Sequence, residues 1–184
     1  MKRNNTRLHS LLSALLGASL LLTGCSGGAV IENELPSKLL KTENTRPEGR
    51  FDDIVVNIAK TEQDMANAWE EYGMSGNPPH VNFDDQEVYF VGIYENSCEL
   101  EFAGTALDES EENLIVHVGH SSNACDDIGI PRTYVLAIDN EALTAVRSVS
   151  IQEWYGKNKL DTSRQLEVEV AAQTDTATIL LSAD

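Results

Sequence analysis

The run Val88-Tyr89-Phe90-Val91-Gly92-Ile93-Tyr94 constrains the fold more than any other stretch of the chain. A strand with apolar side chains on both faces must be covered on both faces, so this segment predicts a central, two-sided strand. One segment carries a helical period. Thr61 caps it, Asp64 stands three residues on in the manner of a capping box, and Met65, Ala68, Trp69 and Tyr72 form a single apolar stripe. Asn77-Pro78-Pro79 then breaks the chain before the central strand. Ile54, Val56 and Ile58 share a period-two face, and further strands are expected over 100–105, 114–118, 133–138 and 146–151. The acid-rich stretch from Asp108 to Asn113 reads as the hairpin turn between the first two of these. Leu166-Glu167-Val168-Glu169-Val170 alternates as an edge strand with a solvated acidic face does, whereas the residues after it could pair with a sheet or form a tail. The expected fold is α+β, mostly antiparallel β-sheet with one packed N-terminal helix.

The N-terminus carries an address. Lys2, Arg3 and Arg7 precede an apolar run from Leu11 to Leu22, which is the order of an export signal and too short to span a bilayer. Leu22-Thr23-Gly24-Cys25 resembles the lipobox of bacterial lipoproteins, in which the cysteine is acylated and becomes the first residue of the mature chain. Cys25 is therefore the expected lipidation site. Lipid chains contribute about 0.8 kcal/mol per buried methylene, and several of them hold a protein firmly on a membrane. The expected location is extracytoplasmic, lipid-anchored to a membrane, with Ser26 after the cysteine fitting the outer membrane if the organism has one. The organisation that follows is a signal peptide over 1–24, a lipidated cysteine and flexible tether over 25–50, a globular domain over 51–155 and a C-terminal extension over 156–184. A tether of that length reaches about 25–30 Å.

Charge narrows the partners. The 184-residue chain has 13 basic and 30 acidic side chains and a net charge of −17. Cleavage before Cys25 removes Lys2, Arg3 and Arg7 and no acid, leaving 10 basic against 30 acidic residues and a charge of −20. Nucleic-acid affinity comes from basic side chains that displace counterions from phosphates, so nucleic acid is not an expected partner. Anionic headgroups repel such a surface, so membrane contact is expected through the lipid alone.

With Cys25 acylated, Cys98 and Cys125 remain, and an even pair in an exported domain reads as a disulfide. It would close a loop of roughly 28 residues and stabilise the fold by about 3–4 kcal/mol. Asn123, Asp126 and Asp127 beside Cys125 offer oxygen atoms of the kind calcium prefers, without the DxDxDG order of an EF-hand; turn capping is the competing reading. His117 and His120 have a spacing that some metal sites use, but on a strand they face opposite sides. Arg132, after Pro131, is one of the few cations of the mature chain and pairs either with a neighbouring carboxylate or with a partner's, so it is the candidate partner-binding residue. No HExxH, GxxxxGK[ST] or GxGxxG pattern is present, and no cofactor is expected. Ser121, Ser122, His120 and Asp126 could in principle form a triad, but their types coincide by chance in many acidic domains.

From about Val55 to Ile151 the order of features resembles the C-terminal domain of PrcB-type proteins. The resemblance runs through a strand, the helix with Trp69-Glu70-Glu71-Tyr72, the proline break, Val81-Asn82-Phe83-Asp84 leading into the central strand, and Pro131-Arg132-Thr133-Tyr134. Where that family often has Gly-Gly-Tyr entering the next strand, this chain has Ser97-Cys98-Glu99-Leu100. Members are exported and associated with protease complexes. The resemblance thus implies an envelope or protease-complex protein as partner and no catalytic residues. The expected function is a non-enzymatic binding or accessory module of the cell envelope. The alternatives are a divalent-cation-binding envelope protein and, behind it, an exported hydrolase.

Overall fold

The computed structural model describes residues 31–50, 53–120, 125–126, 128–143, 145–155, 158–159 and 167–169. In chain order these form β1 (Glu34–Leu35), β2 (Ser37–Glu43), β3 (Val55–Ala59), α1 (Glu62–Glu71), β4 (Gln86–Glu95), β5 (Leu100–Leu107), β6 (Asn113–His120), β7 (Ile130–Asp139), a 3-10 turn (Asn140–Leu143), β8 (Ser148–Tyr155), β9 (Asn158–Lys159) and β10 (Glu167–Glu169). One sheet runs β2-β7-β4-β3 and is antiparallel throughout; the other runs β1-β5-β6-β8-β10, with β9 beside β8. Its β6–β8 pair is parallel, the others antiparallel. The fold is α+β, mostly antiparallel sheet with α1 packed on one face and a Cys98–Cys125 disulfide, as expected.

The two-sided strand predicted at 88–94 is β4, and its alternation builds two cores. Tyr89, Val91 and Ile93 of β4 and Tyr134, Leu136 and Ile138 of β7 face the second sheet, whose Leu114, Val116 and Val118 share their core. Val88 and Phe90 face α1 and meet Met65, Ala68, Trp69 and Tyr72. The four-stranded sheet is thus the middle of three layers, which is why so many of its side chains are apolar on both faces. Gly92 interrupts the run where the chain is crossed closely: a Cβ there would lie 3.1 Å from the Arg46 side chain and 3.3 Å from the Tyr72 ring.

The helix stripe buries as its spacing predicts. The Thr61 hydroxyl accepts from the Asp64 amide at 3.1 Å, while the Asp64 carboxylate reaches back to the Lys60 amide at 3.2 Å, one residue before the cap. Trp69 stands edge-on to Phe90 with centroids 6.2 Å apart, and its indole N–H donates to the Gly76 carbonyl at 3.0 Å. That bond pins the segment that leaves the helix. The hairpin turn is also as expected: the Asp108 carboxylate accepts from the amides of Glu112 and Asn113, both at 3.1 Å.

Two segments of the folded body lie outside the expected domain bounds of 51–155. Residues 34–43, expected in the flexible tether, belong to the folded body: β1 pairs with β5 and β2 pairs with β7. The register of β2 slips between Leu39 and Lys41, so its period is broken, and Leu39 is 37% exposed. A bulged edge strand with lysines does not present the alternation by which strands are recognised. The following loop is fastened as well, since Thr133 donates to the Thr45 carbonyl and the Arg46 guanidinium lies 4.3 Å from the Tyr94 ring centre while donating to the Asp53 carbonyl. At the other end the body extends past 155, because β10 pairs with β8 at the sheet edge, in agreement with the alternation read at 166–170. Pro131 lies inside β7, an inner strand, yet β2 pairs only with 133–138, so the proline sits where that flank of β7 is uncovered. Residues 1–30, with the signal and Cys25, and 170–184 lie outside the described residues. Among the described residues no helix is long and apolar enough to cross a membrane.

β2 also carries a pH-dependent contact. The Glu43 carboxylate accepts from the Ser75 amide at 2.8 Å and pairs with Lys41 at 3.0 Å. Hydrogen bonds from the Ser75 side chain and backbone, then from Lys41, hold its carboxyl down at about 2. A carboxyl depressed in the folded state stabilises fully above its ordinary value near 4.5 and loses that contribution as pH falls towards 2. Glu43→Gln should therefore be less stable than the parent at about pH 6 and close to it at about pH 2.5, checked by paired urea titrations. An equal gap at both pH values would contradict the assignment.

Candidate functional site

β4 and β7 lie side by side with Ile93 opposite Arg132, so Glu95 and Arg132 both project between the sheets at one end of the sandwich. Arg132 donates through Nε at 2.8 Å to Glu95 Oε1, which its Nη2 also contacts, and its Nη1 lies 3.3 Å from Glu99 Oε1. The second Glu95 oxygen accepts from the Leu100 amide at 3.0 Å. Tyr134 closes the group by donating to the Leu100 carbonyl at 2.7 Å; burial, helped by the nearby Glu95 charge, raises its phenol above the ordinary value. On the opposing sheet His120 pairs with Glu153 at 2.8 Å. The Arg132, Glu95 and His120 side chains are 8%, 1% and 2% exposed.

The loops at this end are tied together twice. Cys98 and Cys125 form a disulfide across a separation of 27 residues. Beside it the Ser97 amide donates to the Asp126 carbonyl at 3.0 Å, and the Asp126 amide donates to the Ser97 hydroxyl at 2.6 Å. Replacing both cysteines by alanine should cost about 3–4 kcal/mol by freeing the loop in the unfolded chain. The Ser97–Asp126 bonds should keep the native loop in place. Denaturation of the double variant, with amide exchange at Ser97 and Asp126, checks both parts.

The candidate residues are thus placed as follows. Arg132, for which the sequence left a neighbouring or a partner's carboxylate open, pairs with Glu95 and Glu99 of its own chain, the neighbouring-carboxylate reading. The physical reason is register, which sets Glu95 on the same inter-sheet face two residues beyond Ile93, the residue opposite Arg132. Asp126 is exposed and turns with Ser97, while Asn123 and Asp127 lie outside the described residues, as do Ser121 and Ser122. Among the described residues no three His, Cys, Asp or Glu side chains come together as a metal would require. His117 and His120 face opposite sides of β6: the Trp154 indole donates to His117 Nδ1 at 2.9 Å, whereas His120 meets the adjacent Glu153.

Sequence reading missed Glu95. It looks like an acid at the solvated end of a strand, but it is only 2% exposed. The available signal was its place two residues beyond Ile93 on the face that Tyr89 and Val91 share. The buried Glu95 carboxylate and Arg132 guanidinium satisfy each other across the neighbouring strands β4 and β7. Comparison with family models, with characterised proteins and with solved structures finds no match.

Proposed function

We propose that the chain is a lipid-anchored lipoprotein of the cell envelope whose folded part binds a protein partner as an accessory module, without catalysis of its own. The observation that carries this reading is the Cys98–Cys125 disulfide in the folded body. Such bonds persist in oxidising compartments, where the lipobox-like Leu22-Thr23-Gly24-Cys25 would deliver the chain. Acylation of Cys25 would hold it at a membrane, extracytoplasmic and on the outer membrane if the organism has one. The family resemblance in the order of features adds an envelope or protease-complex protein as the partner class.

Two measurements test this. Replacing Cys25 with Ser should move the protein from the membrane to the soluble fraction with an unchanged melting midpoint; retention on membranes in high salt would overturn the anchor. Crosslinking in native membranes, with mass spectrometry of the adducts, should recover a specific envelope protein. Recovery of no specific protein would count against the accessory role.

A further inference from the structure

Beside α1 the chain forms a groove of about 290 Å³ lined by Glu62, Met65, Pro78, Pro79, His80, Val81 and Phe83. Its floor is apolar and fixed. Met65 and Val81 are buried, and Phe83 packs against the same core. One wall is the segment that Trp69 holds through the Gly76 carbonyl, stiffened by two consecutive prolines. Phe83 is carried by a turn in which the Asn82 carbonyl accepts from the amides of Asp85 and Gln86. A pre-formed apolar groove binds with little ordering cost.

The one acid that lines it, Glu62, is exposed, and Asp84 and Asp85, exposed as well, follow Phe83 in the chain. Lys60, just before the helix, is engaged by Glu87 at 2.9 Å, and among the described residues no ion pair reaches Glu62 or Asp84. The net charge of −17 extends the same sign over the whole chain. Such a charge attracts cations and disfavours anionic surfaces.

We infer that this groove receives a segment of a protein partner that carries an apolar side chain next to a lysine or arginine, the apolar group entering between Met65 and Phe83 and the cation facing Glu62. This rests on the partner-binding reading above and names the chemistry the partner must present.

The test uses the full lipidated protein in its own membranes. Photoreactive benzoylphenylalanine is placed at position 80, in the groove, or at position 101, exposed on β5 of the other sheet, and the adducts are sequenced by mass spectrometry. The expected result is an adduct from position 80 on a peptide of another protein with an apolar residue within a few positions of Lys or Arg. Glu62→Lys should lower its yield about tenfold at equal protein level. An adduct on lipid, on a second copy or on a peptide lacking a basic residue, or a yield insensitive to Glu62→Lys, overturns the inference. Partner adducts from position 101 alone would overturn the groove and leave the accessory role standing. Adducts from neither position would remove both.

Discussion

Replacing Arg132 with Met is expected to destabilise the protein by about 3–5 kcal/mol, because Glu95 would be left as a buried carboxylate without its cation. Glu95 is 2% exposed and receives Arg132 through Nε at 2.8 Å, with the Leu100 amide on its other oxygen. The attraction of the pair and the desolvation of its two charges nearly offset each other, so the damage comes from breaking the pair rather than from lacking it. Combining Arg132→Met with Glu95→Gln removes both charges and keeps an acceptor for the Leu100 amide. That double variant should recover more than half of the loss in urea titrations of single and double variants. If the two lose equally, the arginine acts through the packing of its stem and the electrostatic account is wrong.

Trp69→Ala is expected to cost about 3–5 kcal/mol. The indole is 5% exposed, edge-on to Phe90, and lies under the Lys41 ammonium at 5.2 Å. Its removal would leave a void between α1 and the middle sheet that neither layer can close without shifting. It would also free the Gly76 carbonyl and with it one wall of the groove. Amide exchange should therefore rise over residues 74–81 beyond the change expected from global stability. Trp69→Phe, which keeps most of the packing and loses the indole N–H bond, should cost much less. An unchanged melting midpoint for Trp69→Ala would mean that the helix is not docked through this residue.

What could be read in advance divides by the distance over which the cause acts. The middle strand was legible because burial on both faces of β4 leaves a continuous apolar run within seven residues. The helix was legible because Thr61, Asp64 and the Met65 to Tyr72 stripe are local signals, and the turn at Asp108 because one carboxylate caps its own neighbours. The disulfide followed from cysteine number and the expected export of the chain. β2 was hidden by its bulge between Leu39 and Lys41, which shifts side chains out of period, and by Lys41, whose ammonium lies over an aromatic ring rather than in open water. Glu95 was hidden because its burial depends on Arg132, 37 residues away in another strand. The period-two face it shares with Tyr89, Val91 and Ile93 was the one local sign, and at a strand end that sign fits a solvated acid equally well.

The division of the N-terminal segment between the two sheets has a mechanical consequence. Glu34 and Leu35 are zipped to β5 in one sheet, and after Pro36 the residues from Ser37 onward are zipped to β7 in the other. Tension on this end of the chain would arrive first at a two-residue attachment and then, through one proline, at a seven-residue one. The short contact would peel at low force and act as a fuse. The longer one, gripping an inner strand of the middle layer, would keep the core closed while the first gave way.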